Sequence, residues 1–324
     1  MRLGFNHMGR HIKDNLQVEI IGSAVKEPSC AKGDVLKDAF NNTSIGIFYL
    51  GLGGTIRCFN KKILQILDIT LDEDDMPDFR EMLVYANRIL KNAKDMERVF
   101  LLPIKDYYEP QQLVLETKDG KVLFCTSEAV LRDSLIEGIV WSVSDITEHK
   151  TQERIATYRS LHDSLTQLPN RTYLFQKLDK LTDLESYPHK TFALLFLDLD
   201  DFKQINDNYG HATGDEFLVN FSTCIRNSLR VPDTLVRLSG DEFVVILDNV
   251  DKKELVLNVI ERIYQDLSNG FNIANEQMIA SLSIGISFYP RSAQSPRKLI
   301  KLADRAMYSA KNNGKNTYCF YEDE

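Results

Sequence analysis

The spacing of apolar residues changes character along the chain. From residue 36 the apolar runs are short and alternate: Ile45 to Leu50 is strand-like, Gly51, Gly53 and Gly54 mark a tight turn, and Thr55 to Phe59 returns. Asn60 then precedes KKILQILDI, where Ile63, Leu64 and Leu67 share one face. This predicts a helix capped by Asn60, followed by an acidic, proline-containing loop, LDEDDMPDF. Gln112 to Glu116, a Lys118-Asp119-Gly120 turn, Lys121 to Leu131 and Gly138 to Val143 read as three antiparallel strands. Before residue 36 no period is sustained, although Leu16 to Ile21 could form one strand.

Beyond residue 146 the period lengthens. Ile146 to His162 is polar and helix-compatible, and Tyr158, Leu161, Leu165 and Leu168 fall at spacings of three, four and three, which predicts a short a/d seam. The seam would make this segment a dimerising coiled coil; without it the segment is a solvated linker helix. Helix and strand then alternate. Asn170 caps a helix through about Leu184, Thr191 to Leu199 is a continuous apolar strand, and Thr213 to Arg230 carries Phe217, Phe221, Ile225 and Leu229 on one helical face. A hairpin around Ser239-Gly240 follows. After it come a helix bearing Leu255, Val256, Val259, Ile260, Ile263 and Leu267, a strand from Met278 to Tyr289, and a helix bearing Leu299, Ala303, Ala306 and Ala310. The second half therefore predicts an α/β sandwich on a mostly antiparallel sheet.

Composition narrows the function classes. The 324 residues are 43% hydrophobic and 27% charged, enough for two globular domains, and the formal net charge is -8. That balance argues against a nucleic-acid polymer or an anionic membrane surface as partner, while a small phosphorylated ligand could still bind locally. Five scattered cysteines without CxxC spacing point away from a disulfide framework or zinc cluster and toward a reducing compartment. No apolar stretch reaches the roughly 20 residues of a membrane helix, and no secretory core follows Met1, so the expected location is cytoplasmic.

The chemistry concentrates in acids at strand ends. The strand Phe192 to Leu197 runs into Asp198-Leu199-Asp200-Asp201, and the Ser239-Gly240 turn presents Asp241 and Glu242. If the two strands pair, Asp198 and Asp241 face one site. Burying acids unpaired is costly, and a hard divalent cation shared with phosphate oxygens relieves that cost. Taken alone, these acids also fit ordinary exposed turns.

The surrounding motifs extend the pattern. FLDLDDFKQINDNYGHATGDEFL (Phe196 to Leu218) and RLSGDEF (Arg237 to Phe243), with HDSLTQLPNR (His162 to Arg171), SLSIGIS (Ser281 to Ser287) and ADRAMYSAKNNGKN (Ala303 to Asn316), strongly resemble the GGDEF family of diguanylate cyclases. The resemblance implies condensation of two GTP, one on each subunit of a homodimer, into cyclic di-GMP and two pyrophosphates. It further implies that Asp198, Asp241 and the main-chain carbonyl of Leu199 ligate magnesium, with manganese as the substitute. Asp241 would accept the 3'-hydroxyl proton, Glu242 would shape the site, and Lys203 would offset charge on the transferring phosphoryl group. Asn206 and Asp215 would hydrogen-bond guanine, and Lys311 and Lys315 would contact the triphosphate. Ser239 stands where the family has the first glycine, Gln167 where glycine is usual, and Lys315 where arginine is commoner. Arg230-Val231-Pro232-Asp233 matches the RxxD site at which the family's product inhibits, so Arg230 and Asp233 are the expected inhibitory pair.

The hairpin, capped helix, loop and three-strand meander of residues 36–148 resemble a PAS domain. All six histidines lie outside residues 12–148, which disfavours haem, and no Asn-Cys-Arg-Phe flavin stretch is present. The PAS ligand is left open. The expected fold is α+β: a PAS-like antiparallel sheet domain (36–148), after a segment of unassigned role (1–35), then a linker helix (149–165) and a GGDEF palm-like α/β sandwich (166–324). The leading expectation is a PAS-regulated cyclase. The alternative is a catalytically silent GGDEF domain acting as a GTP or cyclic di-GMP receptor, and chain length argues against a second, hydrolytic domain.

Overall fold

The structure is a computed structural model that describes residues 34–51, 55–69, 79–92, 110–183, 185 and 187–322. The expectations for residues 1–33, for Gly53-Gly54 and for the loop over residues 71–78 fall outside the described residues. The chain divides into two compact units, Met1–Glu153 and Arg154–Glu324.

In the first unit, helix α1 (Asp34–Asn41) precedes β1 (Gly46–Gly51), β2 (Ile56–Phe59), α2 (Lys61–Leu67) and α3 (Phe79–Ile89), followed by β3 (Gln111–Glu116), β4 (Val122–Arg132) and β5 (Leu135–Asp145). The strands form one sheet of order β2-β1-β5-β4-β3 in which every pairing is antiparallel. Alternation sends Leu123, Cys125, Ile139, Trp141, Phe48 and Leu50 to one buried face, where the Phe48 and Trp141 rings stack at 6.1 Å. Asn60 does more than cap α2. Its side-chain oxygen accepts from the backbone N–H of Ile63 (3.1 Å) and of Ile47 (2.9 Å), and its amide donates to the carbonyls of Ile45 and Phe40. This fully buried residue ties helix to hairpin. Helix α3 is not among the predicted elements, although Phe79, Met82, Leu83, Ala86 and Ile89 fall at helical spacing; Ala86 and, just beyond the helix, Leu90 join the core. Burial pushes the Cys125 thiol up to about 12, consistent with an inert packing role.

Helix α4 (Thr147–Leu161) has no buried side chain and stops at Leu161. The predicted a/d seam does not continue: Leu168 is fully buried in the second unit's core and Leu165 packs against it. Their spacing reflects a loop folding its leucines inward, not a helix stripe. The next helix, α5 (Arg171–Leu181), is capped by Asn170, whose side chain accepts from the N–H of Tyr173.

The second unit centres on β6 (Phe192–Leu199), every residue of which is buried. It is followed by α6 (Phe202–Tyr209), α7 (His211–Asn227), β7 (Thr234–Ser239), β8 (Glu242–Asp248), α8 (Lys253–Ser268), β9 (Phe271–Ile273), β10 (Glu276–Met278), β11 (Leu282–Tyr289), α9 (Pro296–Asn312) and β12 (Tyr318–Phe320). The main sheet has the order β12-β11-β6-β8-β7, antiparallel except for the β11–β12 pair. Alternate residues of β6 enter different cores: Ala193, Leu195 and Leu197 join residues of α7 and α8, whereas Phe192, Leu194 and Phe196 join residues of α5 and α9. That two-sided burial explains the unbroken apolar run. The predicted strand from Met278 to Tyr289 is two elements. Glu276 to Met278 turns back on β9 through Ala274 and Asn275 at positive φ, and β11 begins only at Leu282, after the exposed Ile279. Leu255, expected on the apolar face of α8, is exposed.

Candidate active site

The acids meet because β6 and β8 are neighbours. In the ladder Asp198 lies opposite Glu242, and the N–H of Leu199 donates to the Asp241 carbonyl at 3.3 Å. Asp198, Leu199, Asp241 and Glu242 therefore share one end of the sheet. Asp198 is buried, and Lys311 from α9 places Nζ 2.5 Å from its Oδ1 as an ion pair. Burial raises the Asp198 carboxyl above its ordinary range, Lys311 opposes this, and the like charges of Asp241 and Glu242 push it further up.

The turn between β7 and β8 is braced from behind. Gly240 takes positive φ (49°), and its carbonyl accepts from Nε (3.0 Å) and Nη2 (2.8 Å) of Arg237. Arg237 is itself buried and donates through Nη1 to Asp163 at 2.8 Å, so the HDSLTQLPNR loop supports the acidic turn. Burial acts to raise the Asp163 carboxyl, yet hydrogen bonds from Thr166 and Arg237 outweigh it and hold it below the usual range. Gln167, in the same loop, occupies the left-handed region with φ 57°, where glycine carries no strain. Ser239 turns its hydroxyl to Glu242 and donates at 2.9 Å, fixing that carboxylate.

Asp200 has a different job from its neighbours. Its carboxylate accepts from Ser281 Oγ (2.6 Å), Ser283 Oγ (2.7 Å) and the N–H of Asn316 (3.0 Å), clamping the end of β6 to β11 and the chain beyond α9. Nothing in the residue pattern separated this structural acid from Asp198. The serines of SLSIGIS were the available signal.

Asn206 on α6 packs against Gly214, the residue before Asp215 on α7. A β-carbon on Gly214 would lie 2.0 Å from the Asn206 side-chain oxygen, so a larger residue there would push the Asn206 side chain aside. Asp215 is exposed. Lys203 lies exposed in the first turn of α6. Lys315 does not join Lys311: it binds both carboxylate oxygens of Asp201 at 2.8 Å. Arg230 and Asp233 close their own turn, with Arg230 Nε donating to Asp233 Oδ1 at 3.2 Å, while the N–H of Asp248, at the far end of β8, donates to the same oxygen at 3.1 Å. Arg262 of α8 donates to the Ser228 carbonyl, two residues before Arg230, setting a second guanidinium beside this turn.

Among the described residues no group of three or more His, Cys, Asp or Glu side chains could by itself hold a metal. Two carboxylates, Asp198 and Asp241, plus the Leu199 carbonyl form a hard oxygen set. It is too sparse for a closed protein cage and suited to a cation that also takes water and phosphate oxygens. The Asp198 carboxyl is raised first by burial and then, against Lys311, by the like charges of Asp241 and Glu242, a repulsion that a bound cation would offset.

The second unit is a GGDEF-like α/β domain: residues 160–317 match the family described as "Diguanylate cyclase, GGDEF domain". The chain is similar to two proteins of Pseudomonas aeruginosa. One is the bifunctional diguanylate cyclase/cyclic di-GMP phosphodiesterase MucR, 40% identical over 163 residues, covering 50% of this chain and 24% of that protein. The other is the diguanylate cyclase TpbB, 38% identical over 161 residues, covering 49% of this chain and 37% of that protein. The fold is shared with the coiled coil and GGDEF domain of DgcB from Caulobacter crescentus, whose crystal structure holds c-di-GMP. That likeness has a TM-score of 0.50 at 23% identity and covers 54% of this chain and 93% of that one. This chain thus spans less than two fifths of the length of either curated relative.

Proposed function

We propose that the chain is a diguanylate cyclase that condenses two GTP into cyclic di-GMP and two pyrophosphates. The observation that carries this reading is the juxtaposition of Asp198, Leu199, Asp241 and Glu242 at one sheet end inside the segment that matches the GGDEF family. Asp198, Asp241 and the Leu199 carbonyl would hold magnesium, which, when bound, neutralises phosphate charge and organises the triphosphate. The remaining work falls to side chains. Asp241 accepts the 3'-hydroxyl proton, Glu242 is held in place by Ser239, and Lys203, Lys311 and Lys315 meet phosphate charge. Lys311 and Lys315 must leave Asp198 and Asp201 to do so. Asn206 and Asp215 select guanine, whose N1–H and 2-amino group donate to a carboxylate as adenine cannot.

One nucleotide per subunit requires a homodimer in the competent state. Arg230 and Asp233, with Arg262 as the neighbouring basic group, form the surface at which cyclic di-GMP would inhibit. The first unit serves as a PAS-like sensor: its antiparallel hairpin, capped helix and three-strand meander support that assignment. Among the described residues no helix is long and apolar enough to cross a membrane. The test is incubation of the purified chain with GTP and magnesium and chromatographic separation of the nucleotides. Wild type should yield cyclic di-GMP and Asp241→Ala none. Bound but unconverted GTP, even in a covalently dimerised wild type, would reject the cyclase.

A further inference from the structure

A groove of about 610 Å³ opens in the second unit between α5 and α9. Its size lies within the ~300–1,000 Å³ typical of small-molecule sites. Arg297, Lys301 and Asp304 reach it at i, i+4 and i+7 along α9, and Arg171, Leu174 and Phe175 at i, i+3 and i+4 along α5. Phe196 and Glu242 bring the sheet, and the acidic turn, to its wall.

Three features define what it can take. Arg171, Arg297 and Lys301 enter none of the ion pairs formed among the described residues, although Glu242 and Asp304 share the groove. Three cations left without carboxylate partners around one concavity favour a multiply charged anion, and the two guanidinium forks match phosphate oxygens. Leu174, Phe175, Leu238 and Ile300 add an apolar wall of a kind that a bare inorganic anion would not use. Glu242 and Asp304 supply acceptors for sugar hydroxyls or base N–H groups.

We propose that this groove is a second nucleotide site, which takes a nucleoside triphosphate through Arg171, Arg297 and Lys301 and needs no metal. Its cations are distinct from Lys203, Lys311 and Lys315, and the inference stands whether or not the chain turns GTP over. The closeness of Glu242 means that a nucleotide here lies next to whatever the acidic turn holds.

The test is calorimetric titration of the full chain with guanosine 5'-(α,β-methylene)triphosphate, whose α–β bridge resists cleavage, in magnesium. Wild type should bind two molecules per chain. R297E/K301E should bind one, with at least a tenfold loss at the missing site, and Lys311→Ala should keep the groove's molecule. R297Q/K301Q, which removes charge without reversing it, should weaken the same site and provides the measurement if the reversal disturbs folding. Inorganic pyrophosphate should bind the groove at least tenfold more weakly than the nucleotide. Analogue binding that neither double variant weakens, whether wild type shows one site or two, overturns the proposal. A single site that the double variants remove and Lys311→Ala spares is the groove and rejects only the acidic turn as a nucleotide site. Equal affinity for pyrophosphate overturns the nucleotide class.

Discussion

At the scale of single residues, Asp198 carries the sharpest prediction. A carboxyl raised by burial, despite Lys311, costs the folded state whenever it is ionised. For such a group the folded value lies above the unfolded one, so stability is lost as pH rises through it. Asp198→Asn should therefore raise the metal-free chain's stability at pH 7 by roughly 0.5–2 kcal/mol while abolishing metal-dependent activity. Denaturant midpoints in chelator across pH 3–8 would check this, the difference vanishing where Asp198 is protonated. Arg237 works in the opposite direction. Its Asp163 partner has a lowered carboxyl, whose contribution is present at neutral pH and lost in acid. Arg237→Met should cost about 3 kcal/mol at pH 7, with the gap to wild type narrowing as pH falls through the carboxylate range. The same residues show what the sequence hides. Asp198 and Asp200 sit two apart in an acidic run, and only the groups around each distinguish a carboxylate paired with one lysine from one saturated by two serines and a backbone N–H.

At the scale of elements, strands and capped helices were largely legible. β1, β4, β6 and β8 announce themselves by alternation or by an unbroken apolar run between turn residues, and Asn60 and Asn170 act at the helix starts where their type and position predict. The periodicity of Tyr158, Leu161, Leu165 and Leu168 mixes the end of α4 with a loop, because tertiary burial can place leucines at helical spacing without a helix. Leu168→Ala should accordingly cost ~2–5 kcal/mol through the cavity it leaves, lowering the melting temperature while sedimentation behaviour stays as in wild type. The β9–β10 hairpin escaped because three-residue strands give no period to count, whereas α3 does carry one, with Phe79, Met82, Leu83, Ala86 and Ile89 at helical spacing.

At the scale of the whole molecule, the two units have separate cores, and the boundary between Glu153 and Arg154 falls within α4, which buries no side chain. Residues 154–324 alone should unfold cooperatively and bind the α,β-methylene GTP analogue within about threefold of the full chain's affinity; the calorimetric titration already described would show it. A net charge of -8 gives the chain no general attraction for nucleotides, so capture depends on local cations. Lys311 is one of these, and in the structure it already leans on Asp198. On the proposed function the pair makes loading an exchange of counter-ions. A metal ion alone must evict a resident ammonium, and a triphosphate alone must draw that ammonium away from a carboxylate that then stands bare. Arriving together, each relieves the other's penalty, so the site discriminates against either ligand on its own and fills as a cooperative pair, each tightening the other by the same factor.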